Sequence, residues 1–457
     1  MSRGLKDLGR ATSNGMKILY KLEALIFYIL IFSIPFETRF IWHIWTFPFN
    51  QWTAGYIYGT DILLCAFLVL WLVRSLPLRL DLKSIFSPKI FGKADFWLLA
   101  FFIVSAISIF NAKIAGLSFY QLIKLAEFMA FYFYIKNNLG LVFKFRTVLI
   151  TIIFSGLFQS IIAVAQFLKQ SNLGLRLFGE SPLAIDTTGI AVFIVDSHKY
   201  LRAYGTTPHP NVLAVWLFLA IFSFYNFYFY RKSQNISWPL LVAYTAMLFA
   251  LFFTFSRVII GLWLLCLVLV IYLTIFSGFL SVIKKRLMVI GAVTLAAVIF
   301  FASLYWPLVQ SRIHVSADEE AVTQRIFYNK IAGTTVEANP FGIGLGQFVP
   351  RLMDKLKYYE TVPYQPVHNI YLLIASETGF MGLALFLLFL FFILYNFIKS
   401  TGPKELWQLS FIFIFLSLLV FGLFDHLLWT LQQGSLVLWM VMALLSVNRH
   451  DAFQVKQ

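Results

Sequence analysis

Four short segments hold the side chains best suited to act on a substrate. The stretch RAYGTTPHPN carries Arg202, His209 and Asn211 among the helix breakers Gly205, Pro208 and Pro210. In TFSRVIIG, Arg257 stands between two apolar runs with almost no polar linker. In TQRIFYNKI, Arg325 opens an amphipathic helix, followed by the Gly342, Gly344 and Gly346 of NPFGIGLGQF. VHNIYLLIASETG places His368 and Asn369 at the mouth of a long apolar helix that also holds Glu377. Guanidinium groups bind anions in planar, two-pronged geometry. An imidazole near pH 7 can give or take a proton. Together these side chains suit a site that holds an anion beside a group able to move a proton.

Each segment also has a plainer use. Asn211 caps the helix after Pro210, with Arg202 in solvent. Arg257 snorkels to lipid phosphates. The three glycines form a turn more often than a phosphate cradle. His368 is a polar helix cap. What raises the chemical use is company, since the three arginine segments and His368 are expected on one side of a membrane.

The remaining polar residues are weaker candidates. On an unbroken helix Glu377 faces away from His368, about 13.5 Å along the axis. It is therefore expected as a buried carboxylate paired with another span. Lys124 and Glu127 are three apart and suited to satisfy each other. The acidic run Asp318, Glu319 and Glu320 suits either a divalent cation or a solvated face. Asp425 and His426, in the last outer turn, are positioned to support the others, as are His209, Asn211, Asn369 and Glu377. No Asp-X-Asp, zinc-ligand spacing, Walker loop or nucleophile elbow occurs, so neither metal nor cofactor is expected.

Something must hold these segments together, and the composition says what. Of 457 residues, 60% are hydrophobic and only 12% charged, with 52 Phe. Soluble domains carry roughly twice that charge, so the chain belongs in a bilayer. Soluble enzyme, disordered chain and disulfide scaffold are excluded, and Cys65 and Cys266 are read as core thiols. The formal charge of +16 reflects basic loops rather than nucleic acid. The fold class is all-α and polytopic, one integral membrane domain over 1–457. About twelve spans are expected, at 21–37, 56–73, 95–111, 118–135, 147–168, 210–230, 238–254, 258–280, 287–305, 368–397, 405–423 and 428–446. Basic residues such as Arg74, Arg146, Arg231, Arg286 and Lys399 fall in alternate connecting segments and so on one side, which puts both termini in the cytoplasm. The outer face then owns two long loops, 169–209 and 306–367, the second between spans 9 and 10. Both read as folded and functional. In the larger one Tyr358, Tyr359 and Tyr364 are placed to stack on sugar rings or to pack.

In order, spacing and shared side, Arg202 in RAYGTTPHPN, Arg257 in TFSR, Arg325 before NPFGIGLGQF and His368 in HNIYLLIASETG resemble the O-antigen ligase and O-antigen polymerase superfamily, most strongly over 200–385. That resemblance implies a metal-independent, inverting glycosyltransferase of the membrane-embedded GT-C type, in the bacterial cytoplasmic membrane with its site on the outer face. The donor would be a glycan on undecaprenyl diphosphate. The acceptor would be a hydroxyl of lipid A–core, of another lipid-linked glycan, or of protein. Arg202, Arg257 and Arg325 would hold the donor diphosphate, and His368 would activate the acceptor or merely hydrogen-bond a phosphate or sugar. A transporter of lipid-linked glycan and a structural membrane subunit are the rivals from other classes.

Overall fold

Backbone groups in lipid find no water, so apolar segments there close their hydrogen bonds as helix. The computed structural model describes residues 2–75, 92–187, 189–231, 233, 235, 237–276, 281–313, 320–356, 363–400 and 406–447. Asp318, Glu319, Tyr358 and Tyr359 lie outside the described residues. The helices are α1 (Ser2–Ser33), α2 (Gly59–Ser75), α3 (Lys93–Ser108), α4 (Ala115–Asn138), α5 (Phe145–Lys169), α6 (Pro210–Phe229), α7 (Trp238–Phe253) and α8 (Arg257–Phe276). Then follow α9 (Ser281–Ile313), α10 (Glu320–Ala338), α11 (Phe348–Lys355), α12 (Ile370–Lys399), α13 (Leu406–Phe421), α14 (Leu427–Thr430) and α15 (Gln432–Ser446).

Each expected span overlaps one of these helices, and among the described residues six of them, α3, α5, α6, α8, α9 and α12, are long and apolar enough to cross a membrane. Shorter apolar helices stand at α7, α13 and α15. In α4 the apolar run is interrupted by charge: Lys124 bonds Glu127 at 2.5 Å, as its spacing suggested, and Asp61 of α2 at 2.9 Å. The protein is thus a multi-pass helical membrane protein. Cys266 is buried against Ser417, whereas Cys65 is exposed on the outside of α2 rather than in a core.

Two antiparallel hairpins correct the all-helical expectation. The first pairs β1 (Arg39–Ile44) with β2 (Ala54–Tyr58), so the second apolar run starts as strand and turns helical at Gly59. The second pairs β3 (Val192–Val195) with β4 (His198–Leu201) through Asp196 and Ser197, both at positive φ. That turn belongs to the loop 169–209.

Helix α6 is the centre of the molecule. It is apolar all round and buried along nearly its whole length, as a helix hydrophobic on every face must be. Both its ends are fixed. His209 caps the start through Nδ1, which accepts from the Asn211 N–H, and Pro210 takes the first helical position. At the far end Arg286 of α9 donates to the carbonyls of Tyr228 and Phe229, supplying the partners that a helix C-terminus lacks.

Helix α12 is two helices, not one long rod. Gly379 breaks it at φ 76°, ψ 178°, a conformation open to glycine alone. The part after the break is about 30 Å long, enough to cross the hydrocarbon by itself. The glycine-rich turn wedges into this break. Ile343 and Gly344 donate to the carbonyls of Ser376 and Glu377 at 2.9 and 3.0 Å. A Cβ on Gly379 would lie 2.4 Å from the Pro340 carbonyl oxygen. Gly379→Ala should therefore destabilise the protein by about 1–3 kcal/mol, the cost of a forced backbone strain. A thermal unfolding midpoint in detergent equal to that of the parent would contradict this.

Candidate active site

Arg202 follows β4, and the turn between α7 and α8 receives it. Its Nε donates to the Thr254 carbonyl and its Nη2 to the Asn211 side chain, both at 2.7 Å. Three residues beyond Thr254, after Phe255 at positive φ, Arg257 begins α8. That is the tight boundary turn its flanking runs suggested. Arg325 projects from α10, one turn before Tyr328, whose ring lies 6.4 Å from that of His368. His368 precedes Asn369, which caps α12 by accepting from the N–H groups of Tyr371 and Leu372. Asp425 and His426 come from the turn between α13 and α14.

These elements meet around one cavity of about 860 Å³. Arg202, Arg257, Arg325 and His368 line it, with His209, Asn211, Asp425 and His426. Asn369 does not line it, and its side chain serves the cap. Glu377 lies elsewhere, against a second cavity. Its carboxylate accepts from the N–H groups of Phe348 and Gly346 rather than from a cation on another span. The glycine turn thus cradles a carboxyl group, but that group belongs to the protein. Arg312, at the end of α9, is a fourth guanidinium on the first cavity. Nothing but its place beside Arg325 in the outer segment marked it in the sequence.

A hydrogen-bond chain runs across this cavity. Asn211 accepts from Arg202 at 2.7 Å and donates to Asp425 at 2.8 Å. The amide stands between guanidinium and carboxylate and keeps them from forming a closed ion pair. The rings of His368 and His426 are 5.0 Å apart, and Trp52 meets His426 edge-on at 5.0 Å from the other side. His426 Nδ1 shares a 2.6 Å hydrogen bond with the Thr430 hydroxyl. Arg325 Nε and His368 Nδ1 are buried without a hydrogen-bond partner among the described residues. Such groups are costly unless water or ligand meets them.

The field in the cavity is positive. Burial, and then neighbouring Arg312, push Arg202 down to about 9, against the smaller opposing pull of Tyr204 and Asp425. Burial and Arg202 push His209 down to about 3, so it stays a neutral acceptor at its cap. Burial lowers His368 too, with Asp425 opposing and Arg325 assisting. His426 lies well below the ordinary histidine range because of burial, His368 and Arg325. Each guanidinium disfavours charge on its neighbours, so an anion entering the cavity relieves all of them. The neutral imidazoles keep their proton-accepting nitrogens. His368, Asp425 and His426 also present ligand-type atoms within 4.8 Å of one another, a set able to take a metal ion. The surrounding arginines oppose a cation there.

Three of the residues so gathered, Arg257, Arg325 and His368, fall in one stretch of sequence. Residues 241–387 match the O-antigen ligase family. The O-antigen ligase stretch covers about a third of the chain and runs from α7 to the middle of α12. Arg202, Asn211, Asp425 and His426 reach the same cavity from outside it. No curated protein matches the chain. The O-antigen ligase match and the apolar helices together describe a membrane ligase of the glycosyltransferase kind, in polysaccharide assembly.

Proposed function

We propose that the protein moves a glycan from undecaprenyl diphosphate to an acceptor hydroxyl, with inversion at the anomeric carbon and without a metal. One observation carries this reading: guanidinium groups and an imidazole far apart in sequence line one cavity. The acceptor oxygen attacks the anomeric carbon from the face opposite the diphosphate and gives its proton to His368. The bond from that carbon to the diphosphate oxygen breaks, and its electron pair leaves with the diphosphate. Arg202, Arg257 and Arg325 meet the charge that develops there, in a setting where fixed donors act strongly. The O-antigen ligase match supports a lipid-borne core sugar as the acceptor, with a growing glycan or a protein as the alternatives.

The test is purified protein in liposomes with a lipid-diphosphate glycan and a core-sugar acceptor. Glycan should pass to the acceptor, and saturating EDTA should leave the rate within about twofold, because arginine rather than a divalent ion holds the diphosphate. Loss of rate restored by Mg²⁺ would overturn the metal-free step. Translocation of the lipid with no transfer would favour a transporter.

The basic segments argue that this chemistry faces outward, with both termini in the cytoplasm. A reporter fused after Gln457 should then be active only in its cytoplasmic form. Periplasmic signal would reverse the orientation.

A further inference from the structure

Between Arg39 and Asp61 the chain holds three Phe and three Trp but no Asp, Glu, Lys or Arg. This segment is the β1–β2 hairpin, and its two strands sit differently. In β2 every residue but Ile57 is buried. Its far edge is closed by the Tyr120 hydroxyl of α4, which donates to the Tyr56 carbonyl at 3.0 Å and accepts from the Tyr56 N–H at 3.1 Å. In β1 Phe40, Ile41, Trp42 and His43 are exposed in succession, so both faces of the strand lack cover. No strand pairs its outer edge among the described residues. In the turn beyond, Phe47 is 83% exposed and Phe49 is exposed beside it.

A protein surface in water rarely carries such a patch. Helix α3 shows what lies against it. Phe96, Ile103, Ile107 and Phe110 are exposed at spacings of seven, four and three, one face of this spanning helix running into the turn Ile109–Asn111. Phe110, at the end of that stripe, is 90% exposed. The hairpin lands just beyond, on the first turn of α4. Trp45 packs so closely there that a Cβ on Gly116 would lie 2.8 Å from its Nε1. The rings of Trp42 and Trp45 stand 6.1 and 5.7 Å from that of Tyr120. Phe119, three residues after Gly116, is exposed like its neighbours. The apolar face of the hairpin thus continues the surface that α3 turns to lipid.

Two opposed limits set its depth. Exposed Phe and Trp rings gain by leaving water. The outer edge of β1 carries backbone N–H and C=O groups, which hydrocarbon cannot satisfy. The headgroup layer meets both demands, and Trp concentrates there. We propose that the β1–β2 hairpin is a lipid-binding element lying in the headgroup layer of the bilayer, on the side of the membrane that holds the cavity of Arg202 and His368. Asn50, Gln51 and Trp52 of its turn line that cavity, and Asn50 donates to the Tyr364 carbonyl at 2.8 Å. The hairpin therefore holds one wall of the cavity at headgroup level. A lipid carrier would bring its diphosphate in at that level, a consequence that alone rests on the glycosyltransferase reading.

A nitroxide label measures depth without turnover, so the lipid contact stands or falls apart from glycan transfer. Phe47→Cys carries the label in a Cys65→Ser background, and Cys65→Ser alone is the blank because Cys266 is buried. So little of Phe47 is covered that its replacement removes little packing. Phe40→Cys gives a second position on the same face. In dilute liposomes of phosphatidylethanolamine and phosphatidylglycerol, oxygen should reach each label better than a water-soluble nickel chelate does. The depth should be about 5–10 Å into the headgroup–acyl boundary. Nickel access as high as for a label in solution would place the hairpin in water and overturn the proposal. So would a depth near the bilayer centre. Spin–spin broadening with both reagents shut out would give the face to a second copy of the chain and overturn it too.

Discussion

Arg325→Gln is expected to slow glycan transfer about 10²–10³-fold, the usual effect of losing one fixed donor to a developing anion. The choice among the arginines follows from their other duties. Arg202 also holds the Thr254 carbonyl and the Asn211 side chain, so its loss would disturb the join between β4, α6 and the α7–α8 turn. Arg325 sits on α10, half-exposed, with its Nε meeting no protein acceptor among the described residues. Deleting it removes charge and donors from the cavity while leaving the packing of α10 through Tyr328 and Ala332 in place. The unfolding midpoint should hardly move. Arg325→Lys should recover part of the rate, because charge returns without the two-pronged geometry. Steady-state rates at saturating acceptor decide the matter. Activity within about threefold of the parent in Arg325→Gln would remove this residue from diphosphate binding.

How far the sequence carries such an argument depends on the kind of interaction. Helix positions were legible because lipid leaves an apolar chain no other choice, and each of the twelve expected stretches is mostly helix where it is described, with 56–58 as strand. That Arg202, Arg257, Arg325 and His368 share a cavity was legible from the side of the membrane each was assigned to. What a residue bonds to was less so. Glu377 looked like half of an ion pair, because a buried carboxylate needs compensation. The break at Gly379 instead brings backbone N–H groups to it, and no spacing rule for an unbroken helix foresees that. The hairpin over 39–58 did leave a signal, in the aromatic and β-branched residues of RFIWHI and GYIY around a Pro-containing turn, but it reads as an extension of the neighbouring spans. The grouping of His368 with Asp425 and His426 joins positions almost sixty residues apart. Only the packing of α12 against the turn after α13 makes it, through the Ile370 N–H on the Gly422 carbonyl.

The amide of Asn211 gives the cavity its polarity. A direct bond between Arg202 and Asp425 would cancel both charges where the proposed leaving group would sit. With Asn211 between them, the guanidinium keeps its charge toward the cavity and the carboxylate stays near the histidines. Anion binding and proton acceptance can then coexist within a few ångströms, the separation that two-site acid–base chemistry requires.

His368→Ala is expected to cost about 10²–10⁴-fold in transfer if the imidazole takes the acceptor proton, and the pH dependence tests that role more sharply than the loss itself. Burial holds the His368 pKa below its ordinary value of 6.5, with Arg325 pushing the same way and Asp425 opposing. The neutral ring is the active form. A lowered pKa keeps that form dominant further into acid, so kcat/KM should stay level through neutral pH and fall only below about pH 6.5. The neighbours then move the acid limb in opposite directions. Asp425→Asn removes the group that favours the charged ring and should shift the limb to still lower pH. Arg325→Gln removes a group that disfavours it and should shift the limb upward, beneath the overall loss of rate. His368→Gln separates proton transfer from hydrogen bonding, because an amide orients a hydroxyl but takes no proton near neutral pH. A His368→Gln enzyme of near-normal rate, or a limb that ignores both neighbours, would leave His368 as a binding group and require the acceptor proton to depart by another route.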